Sequence, residues 1–138
     1  MTREPFTVDS AAGIKLDGRI YTPPIADEHP KDNLAIVLVH PYSVLGGCQA
    51  LMRGIARELS NKGFTSVTFD MRGAGKSTGR PSLTGFSEVN DVVSVCKWVS
   101  QNLSVNRILL VGSSAGNDFL FHLSWVLLLL IAYFVFSS

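Results

Sequence analysis

Ile108-Leu109-Leu110-Val111-Gly112-Ser113-Ser114-Ala115-Gly116 is the stretch whose reading decides the fold of this chain. Its first four residues form an unbroken apolar run, which suits a strand buried on both faces of a sheet. The next five match G-x-S-x-G. In that pattern a serine occupies a tight turn between strand and helix, and Gly112 and Gly116 remove Cβ atoms that would collide with the flanking elements. The spacing predicts that Ser114 Oγ is lifted out at the carboxyl edge of a parallel sheet. The helix N-terminus behind it would offer free N–H groups and positive potential to a developing oxyanion.

Upstream of this stretch the chain alternates between strand and helix signals. Residues 34–39, Leu-Ala-Ile-Val-Leu-Val, are a second continuous apolar run. Leu51, Ile55 and Leu59 recur at helical spacing with Arg53 and Arg57 outside, and Gly63 supplies a stop. Residues 65–69 read as a strand. Residues 71–83 are rich in Gly, Ser and Pro and read as a loop. Ser87 is a candidate cap for a helix with apolar positions Val89, Val92, Val93, Cys96, Val99 and Leu103. Strand, helix, strand, helix, strand, helix is the order that builds a parallel sheet with helices on both faces. Ahead of it, residues 6–8 form a short strand. Ile14, Leu16 and Ile20 then alternate with Lys15, Asp17, Arg19 and Tyr21, a half-buried strand with period two. Pro23 and Pro24 end it, and residues 26–33 form a polar loop.

Composition narrows the classes of function. Among 138 residues, 46% are apolar and 17% charged, and the net charge is +1. Such a chain is globular, and it carries no basic run or stripe, so no nucleic-acid partner is expected. Cys48 and Cys96 lie in separate segments with no metal-ligand spacing. They read as reduced thiols of an intracellular protein, and neither metal nor cofactor is expected. The first five residues hold Arg3 and Glu4 and no apolar core, so no secretory signal is expected and the location is read as cytoplasmic. Gly75-Lys76-Ser77 invites a phosphate-binding-loop reading. That loop needs glycine at the position of Asp70, whose carboxylate would repel a phosphate.

Two further stretches carry a resemblance. His40-Pro41-Tyr42-Ser43-Val44-Leu45-Gly46-Gly47 is similar to the H-P-x-x-x-x-G-G loop of α/β-hydrolases. Phe69-Asp70-Met71-Arg72-Gly73-Ala74-Gly75-Lys76-Ser77 resembles their R-G-x-G-x-S loop. With the serine motif, three features occur in family order over about residues 5–118. The chain therefore resembles the N-terminal part of an α/β-hydrolase, and most of all the serine aminopeptidase/esterase-like branch. The resemblance implies a partial sheet: an N-terminal hairpin plus about three parallel strands with flanking helices, incomplete at the C-terminal side. It implies hydrolysis of a small-molecule ester or amide or of a peptide. Ser114 would be the nucleophile, and the Ala115 N–H one oxyanion donor. Pro41 has no N–H, so Tyr42 would give the second. His40 would be structural, fixing its loop.

The departure from the family is as informative. The triad order in this fold is Ser, then Asp or Glu, then His. After Ser114 this sequence holds one acid, Asp118, and one histidine, His122. Both would ride on the helix that follows the serine, where neither side chain reaches over Ser114 Oγ as a base must. The expectation is that these residues alone hydrolyse little or nothing. A non-catalytic binding fragment shares every feature except turnover.

Every Lys, Arg, Asp and Glu lies at or before Asp118, and residues 119–136 hold no charge. Residues 1–118 are therefore read as the truncated hydrolase core and 119–138 as a hydrophobic tail outside the family. Such an end is of the kind that alternative splicing, intron read-through or a frameshift produces. As a helix, its 18 uncharged residues would span roughly 27 Å, close to a hydrocarbon core, so membrane contact through 119–136 is a second expectation. A third is that the strand over 107–111 presents an unpaired apolar edge, because its family neighbour comes from later sequence. Such an edge favours association.

Overall fold

The structure, a computed structural model, describes residues 1–24, 33–41, 47–115 and 127–135. Strands β1 (Thr2–Asp9) and β2 (Lys15–Thr22) form an antiparallel hairpin around a 3-10 turn at Ala11–Gly13. Strand β3 (Leu34–Val39) leads through a 3-10 turn at Gln49–Met52 into helix α1 (Arg53–Asn61) and strand β4 (Thr65–Phe69). Helix α2 (Phe86–Asn102) connects β4 to β5 (Arg107–Ala115), and β6 is Leu127–Val135. The sheet order is β1-β2-β4-β3-β5-β6. β4, β3 and β5 are parallel, β2 runs antiparallel to β4, and β6 runs antiparallel to β5. The expected α/β sheet is therefore present, with the hairpin at one side of three parallel strands.

Period two divides each buried strand between two cores. Ala35 and Val37 of β3 join Val67 and Phe69 of β4 and Ile108 of β5 on the face packed by Val95, Cys96 and Val99 of α2. Ile36 and Leu38 face the other way, onto Met52 and Ala56 at α1. Phe6 of β1 stacks on Trp98 of α2 with ring centroids 4.3 Å apart, so the hairpin is tied to the α2 layer by an aromatic pair. Among the described residues this accounts for Trp98 as packing.

Several sequence expectations need correction. Leu51 and Ile55 are exposed, and the stripe on the sheet is Met52, Ala56 and Ser60. The 3-10 turn before Arg53 sets the helix phase. Small residues then let the backbone approach β4 closely enough for Ser66 Oγ to donate to the Ala56 carbonyl at 2.9 Å. Tyr21, expected to be wet, is buried at 2% exposure, because β4 and α1 cover that face of β2. Val89 and Val93 are exposed, while Glu88 and Asp91 are buried. Asp91 is paired with Arg72 and Glu88 is hydrogen-bonded by Ser82, which offsets the usual penalty for burying charge. Ser87 does not cap α2, since the N-cap is Gly85. β1 is longer than the expected residues 6–8, because the whole hairpin is in register from Thr2↔Thr22 to Asp9↔Lys15.

The largest correction concerns the end of β5 and its outer neighbour. The expected turn after Val111 is not present at residues 112–115, which continue the strand and pair with β6 from Gly112↔Leu130 to Ala115↔Leu127. Nor is the outer edge of β5 unpaired. β6 holds Leu, Ile, Tyr, Phe and Val in one uncharged run, and residues of that kind favour strands once a partner edge is available. Each added pair satisfies backbone groups that a bend would leave to find other partners. A helix over 127–135 is thereby excluded, and among the described residues no helix is long and apolar enough to cross a membrane. Gly116, Asp118 and His122, with the expected helix over them, lie outside the described residues.

Candidate active site

The carboxyl ends of the parallel strands define the site. Val39 of β3 pairs with Phe69 of β4 and with Gly112 of β5, so the three strands reach the same level there. Just beyond that level come His40-Pro41, Asp70-Met71-Arg72 and Ser113-Ser114. Loops at this edge are where open α/β sheets bind ligands. Ser114 stands two residues past Gly112, and Pro41 two residues past Val39. Backbone register thus places Gly112, at the start of the serine motif, level with Val39, the last residue before the His-Pro loop. The Ser114 and Ala115 backbones lie in β5, opposite Leu128 and Leu127. Tyr42, the expected second oxyanion donor, lies outside the described residues.

His40 is buried and spends both ring nitrogens. Nε2 accepts the Met71 N–H at 2.8 Å, which requires that Nδ1 carry the proton and donate it to the Pro41 carbonyl at 2.6 Å. Burial lowers its pKa, only partly offset by the Pro41 carbonyl and the charge of Asp70. A neutral ring with no free lone pair cannot take a proton from Ser114. It joins the loop after β3 to the loop after β4. Gly47 closes the first of these loops, and a Cβ there would lie 2.1 Å from the Pro41 oxygen.

Asp70 organises the second loop. Its Oδ1 accepts the Gln49 N–H, and its Oδ2 accepts Gln49 Nε2 at 2.9 Å and the Lys76 N–H at 3.1 Å. Ser77 Oγ donates to the Asp70 carbonyl at 2.6 Å. Gly75 has φ +48°, and a Cβ on it would fall 2.2 Å from Asp70 Oδ2. The Gly-Lys-Ser segment therefore wraps a carboxylate, not a phosphate. Arg72 points to the α2 layer, where Nε and Nη2 donate to Asp91 Oδ2 and Oδ1 at 2.6 and 2.7 Å. That hydrogen bond raises the Arg72 pKa. Ser10 Oγ also donates to Asp91 Oδ1. Glu88 takes the N–H and hydroxyl of Ser82. Burial pushes its pKa up, but the Ser82 donors outweigh that and hold it below the ordinary value.

Gln49, Asp91 and Glu88 were not legible as loop-forming residues. They join partners 6 to 81 positions away, and no local pattern marks such a pair.

The model of the X-Pro dipeptidyl-peptidase (S15) family matches residues 12–117. The chain belongs to the S15 family. The loop motifs suggested a serine aminopeptidase/esterase-like branch, whereas the matching model is that of S15 peptidases. The S15-family chain is similar in structure to an α/β serine hydrolase without a lid from Xanthomonas campestris, at TM-score 0.70 and 27% identity, covering 83% of this chain and 51% of that one. It is also similar to an α/β serine hydrolase homologue from Coxiella burnetii, at TM-score 0.69 and 31% identity, covering 83% and 53%. An uncharacterized 31.7 kDa Escherichia coli protein of the traX-finO intergenic region is 33% identical over 90 residues, 59% of this chain and 32% of its own. The S15-family chain thus spans about half the length of these solved relatives and about a third of the curated one.

Proposed function

We propose that this chain is the nucleophile-bearing portion of a serine hydrolase that cleaves esters, amides or peptides, with Ser114 as nucleophile. The observation that carries this reading is the β3–β5 register. It brings Gly112, the first residue of the motif, level with Val39, the residue before His40-Pro41, at the carboxyl ends of the parallel strands. Membership of a peptidase family over residues 12–117 supports it. In the reaction, Ser114 Oγ adds to the scissile carbonyl carbon and gives up its proton. The C–O or C–N bond to the leaving group then breaks, and that proton passes to the leaving group. By family resemblance the Ala115 and Tyr42 N–H groups would hold the oxyanion, which for Ala115 requires release from its pairing with Leu127.

The proton needs a base, and His40 is committed to Met71 and Pro41. Asp118 and His122 come too soon after Ser114 in sequence to take the usual triad order of separate loops. We therefore expect residues 1–138 by themselves to show almost no turnover, since a serine hydroxyl without a base is a weak nucleophile. The tail after residue 118 is read as a segment apart, a reading supported by a family match that stops at 117.

The test is a fluorophosphonate probe together with p-nitrophenyl esters, applied to the chain and to Ser114→Ala. Ester turnover should stay below about 1 per second, the low end of ordinary enzyme rates. Supplying the C-terminal half of a homologous hydrolase in trans should restore probe labelling, and Ser114→Ala should abolish it. Labelling that persists in Ser114→Ala would remove this serine from the mechanism.

A further inference from the structure

The geometry points to a second site, an anion pocket at the outer end of the sheet that takes a small phosphate ester. A cavity of about 280 Å³ lies over β1 and β2, beside the 3-10 turn that starts α1. In sheet order β4 and β3 separate its β2 wall from β5, and Asp70, Gly75 and Lys76 close its other side from the loop after β4. Its cations are Arg3, Arg19, Arg53 and Lys76, and its acids are Asp17 and Asp70.

The acids are already spent. Asp17 Oδ2 accepts Arg19 Nη1 at 2.9 Å and Gln49 Nε2 at 3.0 Å. The Asp70 carboxylate is buried and accepts three N–H groups. Arg3, Arg53 and Lys76 make no ion pair among the described residues. Three lining cations outside any ion pair among the described residues outnumber the one remaining acid, Asp70, and so favour an anion; two guanidinium forks suit the oxygens of a phosphate better than a point charge does. Formal charges in the lining sum to +2, from four cations and two acids, which matches a dianion. Tyr21, Cys48 and Ala50 complete the wall and would hold a short apolar substituent. The volume sits just under the usual range for drug-sized ligands, so the substituent must be small. This is side-chain recognition, unlike the backbone cradle that Gly75-Lys76-Ser77 superficially suggests.

Calorimetric titration of the full chain with phenyl phosphate, in about 0.15 M sodium chloride so that diffuse surface attraction is screened, tests the site. Saturable one-to-one binding with Kd near or below 1 mM is expected. The double variant Arg3→Gln with Arg53→Gln should weaken it at least tenfold without changing the circular dichroism spectrum. Arg57→Gln, an exposed charge outside the pocket, should leave it unchanged. Bound phenyl phosphate should also slow alkylation of Cys48, whereas benzoate, a monoanion of similar size, should do so poorly. Absence of saturable binding overturns the proposal. So does equal weakening by Arg57→Gln, or equal protection of Cys48 by benzoate. Ser114→Ala should not affect any of these readouts, which keeps this test separate from that of the hydrolase reading.

Discussion

The imidazole of His40 accepts the Met71 N–H at 2.8 Å, and the same ring reaches back to the Pro41 carbonyl. One side chain thus fixes the two loops that come after β3 and β4, and it can do so only while neutral. Protonation would place a donor against the Met71 N–H and break the bridge.

Stability should therefore fall in mild acid. The folded-state pKa of His40 lies below its ordinary value of 6.5. Between those two pKa values the unfolded chain binds more protons, so stability rises with pH. The contribution is fully present above about pH 6.5 and is lost as pH falls through that value towards the folded pKa. Thermal unfolding from pH 7.5 to 5 should record a declining midpoint, and His40→Gln should flatten this part of the profile. An unchanged slope in that variant would assign the effect to other groups.

Asp91→Asn should be strongly destabilising. The carboxylate side chain is 1% exposed and accepts both Arg72 donors as well as Ser10 Oγ. Removing one partner of such a pair leaves a charge without compensation, at a cost of about 3–5 kcal/mol. Denaturant unfolding should show the midpoint falling. A loss under about 1 kcal/mol would place Arg72 among the exposed pairs that contribute little.

Gly75→Ala should disturb the loop after β4 without touching the core. The added Cβ would press on the Asp70 carboxylate and would also hold alanine at a positive φ. A penalty of about 2–4 kcal/mol is expected from strain and displaced hydrogen bonds together. Hydrogen exchange should show faster exchange of the Gln49 and Lys76 amides, both of which donate to that carboxylate.

The two thiols should separate cleanly in reactivity. Cys96 is buried on the sheet-facing side of α2, and burial pushes its pKa up to about 11. Cys48 is half-buried at the pocket wall. Under native conditions at pH 8, a disulfide reagent should modify Cys48 in minutes and Cys96 only after unfolding, because the thiolate is the reacting form. Equal rates would show that the α2 layer opens readily.

Much of the fold was legible because burial on both faces leaves a plain mark. The runs at 34–39 and 108–111 hold apolar residues at every position, and each is a central strand. Helix faces were less legible. Ala56 carries less apolar surface than Leu51 or Ile55, yet it and Met52 face the sheet, because a 3-10 turn sets the phase and Ser66 needs a close backbone. The site divides in the same way. The serine motif and both loop motifs are local patterns. The pairs His40–Met71, Gln49–Asp70 and Arg72–Asp91 join distant positions and appear only once the strands align.

By itself the sequence determined an alternating α/β sheet with a hairpin at one side, since hydrophobic period and glycine placement act within a few residues of one another. Tertiary structure alone decided that residues 112–115 extend β5 and that 127–135 pair with it as β6. An uncharged apolar run satisfies helix and strand equally well on its own. Only the presence of an open strand edge, whose N–H and C=O groups need partners, selects between them.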